Sequence, residues 1–525
     1  MTIPATPADD TTSAATRPPI ADAQTPDTEI PDPRRWLALG VIAVAQLMIV
    51  LDASIVNIAL PSAQLDLGIT AANRQWVITA YTLAFGGLLL LGGRIADYTG
   101  RKRTFVVGLL GFAGASALGG FAPNQELLFA ARALQGAFAA LMAPAALSLI
   151  TVMFTEPKER AKAFGVFGAL AGGGAAIGLV IGGVLTEYAS WRWCLGVNVP
   201  VALLTAAAAL PLVHESKAHG DTRYDIVGAV LATIGLVSLV YGFTEAAKPK
   251  FVNGVADGTV GWTAGTTLGF LGAALVLLAA FVIWEQRTAN PLLPLRIALD
   301  RNRGGSYLTF LLVGAGLFAM FLFLTYYFQL TLGYSPLKSG FAFLPFSGGL
   351  ILAAGVVAQL LPRVGPKPLM TIGLVMAVVG MLLLTQITPT TAYATHVLPA
   401  ELLMSIGLAG VFIPASSTAL LGVGHHDAGV ASALLNTCQQ IGGSLGTALL
   451  NTIYASAVAG FMVEHRLHSV QTHFGPQPPA DALIHGYHVS FVWGAALLFS
   501  ALLVSIVFIN AKPNAIPAAA TSMAA

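Results

Sequence analysis

The chain has 525 residues, of which 56% are hydrophobic and 10% are charged, with a mean hydropathy of +0.76. Soluble domains carry about 25% charged residues, so the composition excludes an ordinary water-soluble fold. A net charge of +2 does not favour a nucleic-acid partner, and two cysteines, Cys194 and Cys438, are too few for a disulfide framework or a four-cysteine zinc site. With no GxxxxGK[ST] phosphate loop either, we expect a membrane protein without a metal or cofactor.

Fourteen apolar segments are long enough to cross a bilayer, because a spanning helix needs about 20 apolar residues. Their apolar character on all faces indicates helices rather than the strands of a barrel. The segments are residues 36–58, 75–95, 104–121, 127–152, 161–186, 193–213, 224–244, 264–284, 306–330, 339–361, 368–387, 395–421, 428–457 and 487–510. The sequence predicts an all-α membrane protein with fourteen transmembrane helices, although twelve remains open.

The two ends of the chain, residues 1–33 and 512–525, are rich in Ala, Thr and Pro and are expected to be disordered tails. If the N-terminus is cytoplasmic, nineteen Lys and Arg residues fall on the cytoplasmic side and six, including Arg74, in outer loops. Positive residues concentrate in cytoplasmic loops. We therefore expect a multi-pass protein of the plasma or inner membrane with both termini in the cytoplasm.

An ionisable residue inside a membrane segment indicates function, because an unpaired charge there is expensive. Asp52, in LDASIVNIALP, follows Trp36 by sixteen residues, or about 24 Å along a helix. A carboxyl group in apolar surroundings can gain and lose a proton, which predicts a coupling role. The alternative is an Asp that caps a helix break near the outer surface, with Asn57 and Pro61 at the break.

Arg132, in RALQGAFAALMAP, is a second charge within a segment, with Gln135 one turn further on. A guanidinium does not lose its proton, so Arg132 needs a carboxylate, carbonyl groups or an aqueous cavity. A purely structural role is the alternative. The sequence leaves open whether Arg132 pairs with Asp52 or faces the transported compound.

Two further patterns concern helix packing. Gly174, Gly178 and Gly182 form a stripe at a spacing of four, which allows close approach of another helix. Asp97 and Arg101, at the end of the second segment, can latch neighbouring helix ends; the alternative is a basic loop that only fixes topology. The stretches 92–105 and 357–370 each place a Gly before basic residues, a weak internal repeat of the kind found in secondary transporters.

Polar and aromatic side chains within the segments are candidates for a substrate pocket, with contact to lipid as the alternative. The candidates are Gln46, Asn57, Gln135, Tyr326, Tyr327, Gln329, Asn436 and Gln440. The histidines in or near the last outer loop lack regular ligand spacing and predict a solvated loop without metal: His465, His468, His473, His485 and His488. Glu187, Glu245 and Glu401 fall near predicted segment ends and are expected at the membrane interface.

Jointly, these motifs resemble the fourteen-helix drug:proton antiporter branch of the major facilitator superfamily. GGRIADYTGRKR resembles the loop between helices 2 and 3, RALQGAFAA the motif of helix 4, and LDASIVNIALP the first-helix motif, with Ser54 where Thr is usual. The resemblance covers about residues 35–510. Helix 5 departs from the usual GPxxGG pattern, because Leu179 stands where Pro is expected.

The resemblance implies two six-helix bundles, residues 34–215 and 301–511, that rock about a central cavity. Residues 216–300 would hold two inserted helices and a cytoplasmic linker. Asp52 and Arg132 would couple transport to protons. The implied cytoplasmic gate is Gly93, Asp97, Gly100, Arg101 and Lys102, and the implied packing motif is Gly174, Gly178, Gly182 and Gly183.

The expected function is proton-coupled export of small amphipathic or cationic compounds, by a secondary transporter rather than an enzyme. Deprotonated Asp52 would attract the substrate from the cytoplasmic side, and a proton from outside would then release it. The expected partners are the substrate, protons and the lipid bilayer, with no nucleic acid, and the chain is expected to be a monomer. The alternative is an exporter or importer of one dedicated metabolite with different ion coupling.

Overall fold

The computed structural model describes residues 33–217, 224–252, 255–423, 428–472 and 475–511. The predicted tails lie outside these residues, apart from residue 33. Apolar segments form helices because a helix satisfies its own backbone hydrogen bonds where lipid cannot. In the described part of the chain the helices are α1 (Arg35–Asp66), α2 (Trp76–Thr99), α3 (Arg101–Gly120), α4 (Gln125–Met153), α5 (Pro157–Tyr188), α6 (Trp193–Gly196), α7 (Asn198–Leu212), α8 (Ile226–Ala247), α9 (Gly265–Arg287), α10 (Leu295–Ala298), α11 (Arg301–Tyr326), α12 (Pro336–Ala342), α13 (Leu344–Val364), α14 (Pro366–Leu383), α15 (Tyr393–Ala419), α16 (Ala428–Glu464) and α17 (Ala480–Phe508).

The helices match the predicted segments in order. Within the described residues, thirteen spans are long and apolar enough to cross a membrane, and α5, with the apolar stretch Gly173–Tyr188, stands where the fifth segment was predicted. The prediction of an all-α membrane fold is confirmed. Helix α1 continues through Pro61 to Asp66, so the alternative of a helix break beside Asp52 is wrong.

The spans form two bundles with corresponding internal packing. In the first bundle, α1 packs on α5 while α2 and α3 pack on α4; in the second, α11 packs on α16 while α13 and α14 pack on α15. The inserted α8 and α9 pack on each other, and α8 also contacts α2 and α16. The turns α2–α3 and α13–α14 each contain a glycine with positive φ, Gly100 (123°) and Gly365 (87°). The weak sequence repeat therefore reflects a structural one.

Two short antiparallel hairpins were not predicted: β1 (Pro249–Val252) with β2 (Val255–Thr259), and β3 (Val470–Thr472) with β4 (Gly475–Gln477). Since successive spans alternate in direction, both hairpins lie at the end of the molecule that carries the α1–α2 connection. We call this the Arg74 end, and the opposite end, with the α2–α3 turn, the Asp97 end.

Candidate functional site: a buried ion pair between helices α1 and α4

Asp52 lies at the middle of α1 and is fully buried, with 0% exposure. Its Oδ2 accepts a hydrogen bond from Arg132 Nη1 at 2.6 Å. Its Oδ1 accepts from Gln135 Nε2 at 3.1 Å and from Asn198 Nδ2 at 2.7 Å. Every partner donates, so both carboxylate oxygens of Asp52 have hydrogen-bond partners inside the bundle.

Arg132 is 1% exposed and makes three further contacts. Its Nε donates to the Val77 carbonyl at 2.9 Å, its Nη1 to Gln135 Oε1 at 2.8 Å, and its guanidinium lies 4.5 Å from the ring centroid of Tyr81. The helical spacing of i, i+3 places Arg132 and Gln135 on one face of α4. The structure therefore pairs Arg132 with Asp52, a choice that the sequence had left open.

Three members of this cluster were not singled out from the sequence. Asn198 begins α7, Ser116 on α3 accepts from Gln135 Nε2 at 2.6 Å, and Tyr81 on α2 packs under the guanidinium. Each is a polar side chain within a predicted apolar segment, and this feature could have marked it as a candidate site residue. Because these side chains surround Asp52, its carboxylate is closed off from the surroundings in this conformation.

The glycine stripe faces the helix that carries Asp52. A β-carbon on Gly178 would lie 2.0 Å from Ser54 Oγ, and one on Gly182 would lie 2.9 Å from the Ile55 carbonyl oxygen. Gly174 faces Leu47 in the same way. Gly183 instead faces the second bundle, where an added β-carbon would lie 2.6 Å from Leu337 Cα. Helix α5 therefore connects α1 to the opposite bundle.

The Asp97 end carries the expected gate residues. Arg101 donates to Asp97 Oδ1 from Nε at 3.0 Å and from Nη2 at 2.8 Å, within a single turn. Glu215, which was not predicted, accepts from the backbone N–H groups of Lys102 and Arg103, at 3.1 Å each. Gly93 lies against Pro144. These contacts fix the start of α3 to the segment after α7.

The Arg74 end carries several contacts between the bundles. Arg74, counted above among the outer loop residues, is 2% exposed, and its guanidinium lies 4.0 Å from the ring centroid of Tyr326. Tyr326 Oη donates to Gln64 Oε1, and Gln329 Nε2 donates to the Ile58 carbonyl at 3.0 Å. Tyr326 and Gln329, expected in a substrate pocket, thus join the two bundles here.

The other pocket candidates are dispersed. Tyr327 Oη donates to the Thr388 carbonyl at 2.9 Å, and Asn57 Nδ2 donates to Ala53 on its own helix at 3.1 Å. Gln440 packs against Gly86 on α2, Gln46 is partly buried, and Asn436 is exposed. A cleft of about 380 Å³ opens at the Arg74 end, and Tyr326 is the one candidate among its lining residues.

One acidic residue is placed differently from the prediction. Glu401, expected at the membrane interface, is 0% exposed inside the second bundle, because α15 packs on α11, α13 and α14 there. Glu187 and Glu245 do lie near the ends of α5 and α8. Among the described residues no group of three His, Cys, Asp or Glu side chains could hold a metal ion; His473 lies outside that part of the chain.

Comparison with known proteins identifies the family. The sequence matches the Major Facilitator Superfamily over residues 42–447. It is 48% identical over 488 residues to the puromycin resistance protein pur8 of Streptomyces alboniger, covering 92% of this chain and 93% of the relative. It is 38% identical over 435 residues to the cephamycin export protein CmcT of Amycolatopsis lactamdurans, covering 82% and 87%.

A solved structure supports the fold. A bacterial homologue of the human lysosomal transporter Spinster, inward-facing and unoccupied, superposes with a TM-score of 0.63 at 15% identity, covering 91% of this chain and 98% of that one. The predicted fold, family and transporter class are confirmed. This chain belongs to the Major Facilitator Superfamily and is a multi-pass membrane transporter rather than an enzyme.

Proposed function

We propose that this transporter exports small amphipathic compounds in exchange for protons, and that puromycin is among them. The observation that carries this proposal is the 48% identity to a puromycin resistance protein over 92% of the chain. We further propose a monomer in the cell membrane with both termini in the cytoplasm, and bundles that span residues 34–215 and 301–511. The Arg74 end would then face outward.

The buried cluster supports Asp52 as the proton-coupling residue. A proton on Asp52 would remove the charge that Arg132 balances and would turn one carboxylate oxygen from an acceptor into a donor. Arg132 would keep its hydrogen bonds to Val77 and Gln135 but lose its ion pair. Because α1 packs on α5, and α5 contacts the second bundle through Gly183, a shift of α1 against α4 would reach the contact between bundles.

The energy of one proton suffices for useful export. One proton that enters across a membrane potential of about 100 mV, in exchange for an uncharged compound, releases about 2.3 kcal/mol. At about 1.36 kcal/mol for each factor of ten, this sustains a concentration gradient of roughly fifty-fold. Nucleotide hydrolysis is not required.

The proposal is tested in proteoliposomes with an imposed pH gradient and radiolabelled puromycin. We expect gradient-driven transport in the wild type, its collapse on addition of an uncoupler, and its loss in Asp52→Asn. The matched control is Asp66→Asn, the same change in the same helix, at a residue that bonds Trp191 and Arg192 near the surface. Undiminished pH-driven transport by Asp52→Asn would contradict the coupling role.

A second candidate is an exporter dedicated to a single product. The similarity to a puromycin resistance protein and to a cephamycin export protein supports it, since each of these relatives is named for one compound. A susceptibility panel on cells with and without the gene, each with and without uncoupler, separates the two. Protection against puromycin together with unrelated cations such as ethidium supports broad export, whereas protection against one compound supports a dedicated exporter.

A further inference from the structure

Glu401 is a second fully buried acid, and it lies outside the Asp52 cluster. Its Oε2 lies 3.1 Å from Tyr393 Oη, and its Oε1 has no hydrogen-bond partner among the described residues. Asp52, in contrast, accepts three hydrogen bonds, one of them from an arginine. A buried carboxylate without donors is strongly unfavourable. The surroundings of Glu401 therefore suit a neutral carboxylic acid.

The hydrogen bonds of Tyr393 point to the same protonation state. Tyr393 Oη lies 2.7 Å from the carbonyl oxygen of Ala342, closer than to Glu401. A phenol has one proton to donate, and a carbonyl can only accept. With the phenol proton on the bond to Ala342, the contact with Glu401 is a hydrogen bond only if Glu401 carries a proton and donates it to Tyr393 Oη.

Ala342, whose carbonyl accepts the Tyr393 hydrogen bond, lies in a helix that joins the two bundles. Ala342 ends α12, which we call the clasp helix, and this helix packs on α5 of the first bundle. Leu337 N donates to Glu187 Oε2 at 3.0 Å, and a β-carbon on Gly340 would lie 2.5 Å from the Leu179 carbonyl oxygen. Tyr393 thus links the buried acid to the closed Arg74 end.

The internal repeat relates this acid to the first site. Helix α15 occupies the place in the second bundle that α4 occupies in the first, since each packs against the second and third helices of its bundle. Arg132 and Glu401 both lie about two turns from the start of these helices. Each bundle therefore buries one ionisable side chain at the same level of its fourth spanning helix.

Charged groups stand away from Glu401. Tyr393 on the same helix contacts it, Tyr334 reaches the pair through the ring of Phe328, and His396 bonds Thr395. The described helices packed against α15 carry their charged residues at the Asp97 end, except for exposed Glu464 at the Arg74 end: Arg301, Arg303, Arg363 and Lys367. The clasp helix, which Tyr393 contacts at Ala342, carries Lys338 at the Arg74 end, where its Nζ lies 3.7 Å from the ring centroid of Tyr334. The protonation of Glu401 therefore depends on its contact with Tyr393 and on access of water.

We propose that Glu401 is a second proton-binding residue and that its protonation holds the clasp helix against the first bundle. The proposal rests on the proton coupling proposed above. When the Glu401 hydroxyl gives its proton to water at the Arg74 end, Tyr393 turns its own proton to the new carboxylate, because a charge-assisted hydrogen bond is the stronger one. The Ala342 carbonyl loses its donor, and the clasp helix is free to leave α5.

The test uses the full-length protein in liposomes, with the proton as the only ligand. Infrared difference spectra report the carbonyl stretch of protonated Glu401. Spin labels on Tyr188→Cys and Phe341→Cys, which are 73% and 52% exposed in the native protein, report the distance across the clasp in a Cys194→Ala, Cys438→Ala background. As the pH rises, we expect the wild type to lose the acid band and the label distance to lengthen.

The variants separate a proton switch from a structural acid. Glu401→Gln mimics the protonated acid and is expected to keep the short distance at every pH, whereas the control Glu245→Gln, which alters an acid paired with Lys248, should follow the wild type. Tyr393→Phe should keep the titrating band but lose the pH dependence of the distance. A wild-type band that never titrates overturns the proposal.

The proposal is also overturned if the label distance in Glu401→Gln changes with pH as it does in the wild type. If Glu401→Gln does not fold, Tyr393→Phe decides, since an unchanged pH-dependent distance in that variant also overturns the proposal. Neither measurement uses a transported compound. The outcome of this test therefore does not depend on whether the protein transports puromycin. Loss of proton-coupled transport in Asp52→Asn would not count as support for the role of Glu401.

Discussion

Arg74 of the first bundle donates from Nε to Asn451 Oδ1 of the second bundle at 3.0 Å, and Asn451 Nδ2 donates back to the Ala71 carbonyl at 3.0 Å. The Arg74 guanidinium also lies 4.0 Å from the centroid of Tyr326 and 4.8 Å from that of Tyr454. A buried guanidinium needs such partners. Through these contacts, Arg74 joins the two bundles and closes the Arg74 end of the molecule.

Arg74→Ala is expected to open the Arg74 end. The variant loses one hydrogen bond and two cation–π contacts, each worth about 1 kcal/mol, so the open state should gain at least roughly tenfold in population. Labelling of an Asn57→Cys reporter by a membrane-impermeant thiol reagent, in the cysteine-free background, measures the change. Arg466→Ala, in an exposed connection, is the control; equal labelling rates in both variants would contradict the assigned role.

The Asp52–Arg132 pair should show strong coupling in a double-mutant cycle. Arg132→Gln leaves a buried carboxylate without its cation, and the loss of one partner of a buried pair costs about 3–5 kcal/mol. Asp52→Asn together with Arg132→Gln removes both charges, so we expect the double variant to be more stable than Arg132→Gln alone. Thermal unfolding in detergent measures this order, and additive losses would mean that the pair is not coupled.

Gly178→Ala should destabilise the contact of α5 with α1. The new methyl would lie 2.0 Å from Ser54 Oγ and 2.9 Å from the Leu51 carbonyl oxygen, which is backbone and cannot rotate away. Overpacking of this kind costs about 1–3 kcal/mol. Gly173→Ala, in the same helix with nothing within 4 Å, is the matched control and should unfold at or above the wild-type temperature. Equal melting temperatures for both variants would refute the close contact.

Glu215→Ala should loosen the start of α3. Its two carboxylate oxygens accept from Lys102 N and Arg103 N at 3.1 Å, so they occupy backbone donors that have no partner within the helix. Loss of such a cap costs about 1 kcal/mol. Hydrogen exchange of peptides that cover residues 100–105 should accelerate about fivefold, while peptides from the α13–α14 turn serve as the internal control. Unchanged exchange would show that Glu215 does not cap α3.

The sequence located the helices and the first-bundle charges. A run of about 20 apolar residues forms a spanning helix whatever it packs against, which is why the predicted segments match the observed helices in order. Asp52 and Arg132 could also be recognised from the sequence, since a charged residue within an apolar run is evident before its partner is known. The burial of Glu401 was not predicted, because the distance of a residue from a predicted segment end does not reveal which helices surround it.

The sequence by itself determined the membrane fold, the order of the helices and two of the residues that form the buried ion pair. Tertiary structure alone decided that Asn198 completes the shell of Asp52, that Arg74 is buried between bundles rather than exposed in a loop, and that Glu401 lies in the core of the second bundle. Hydropathy is a property of neighbouring residues along the chain. Hydrogen-bond partners and burial depend on helices that are distant in sequence and meet only when the bundles pack.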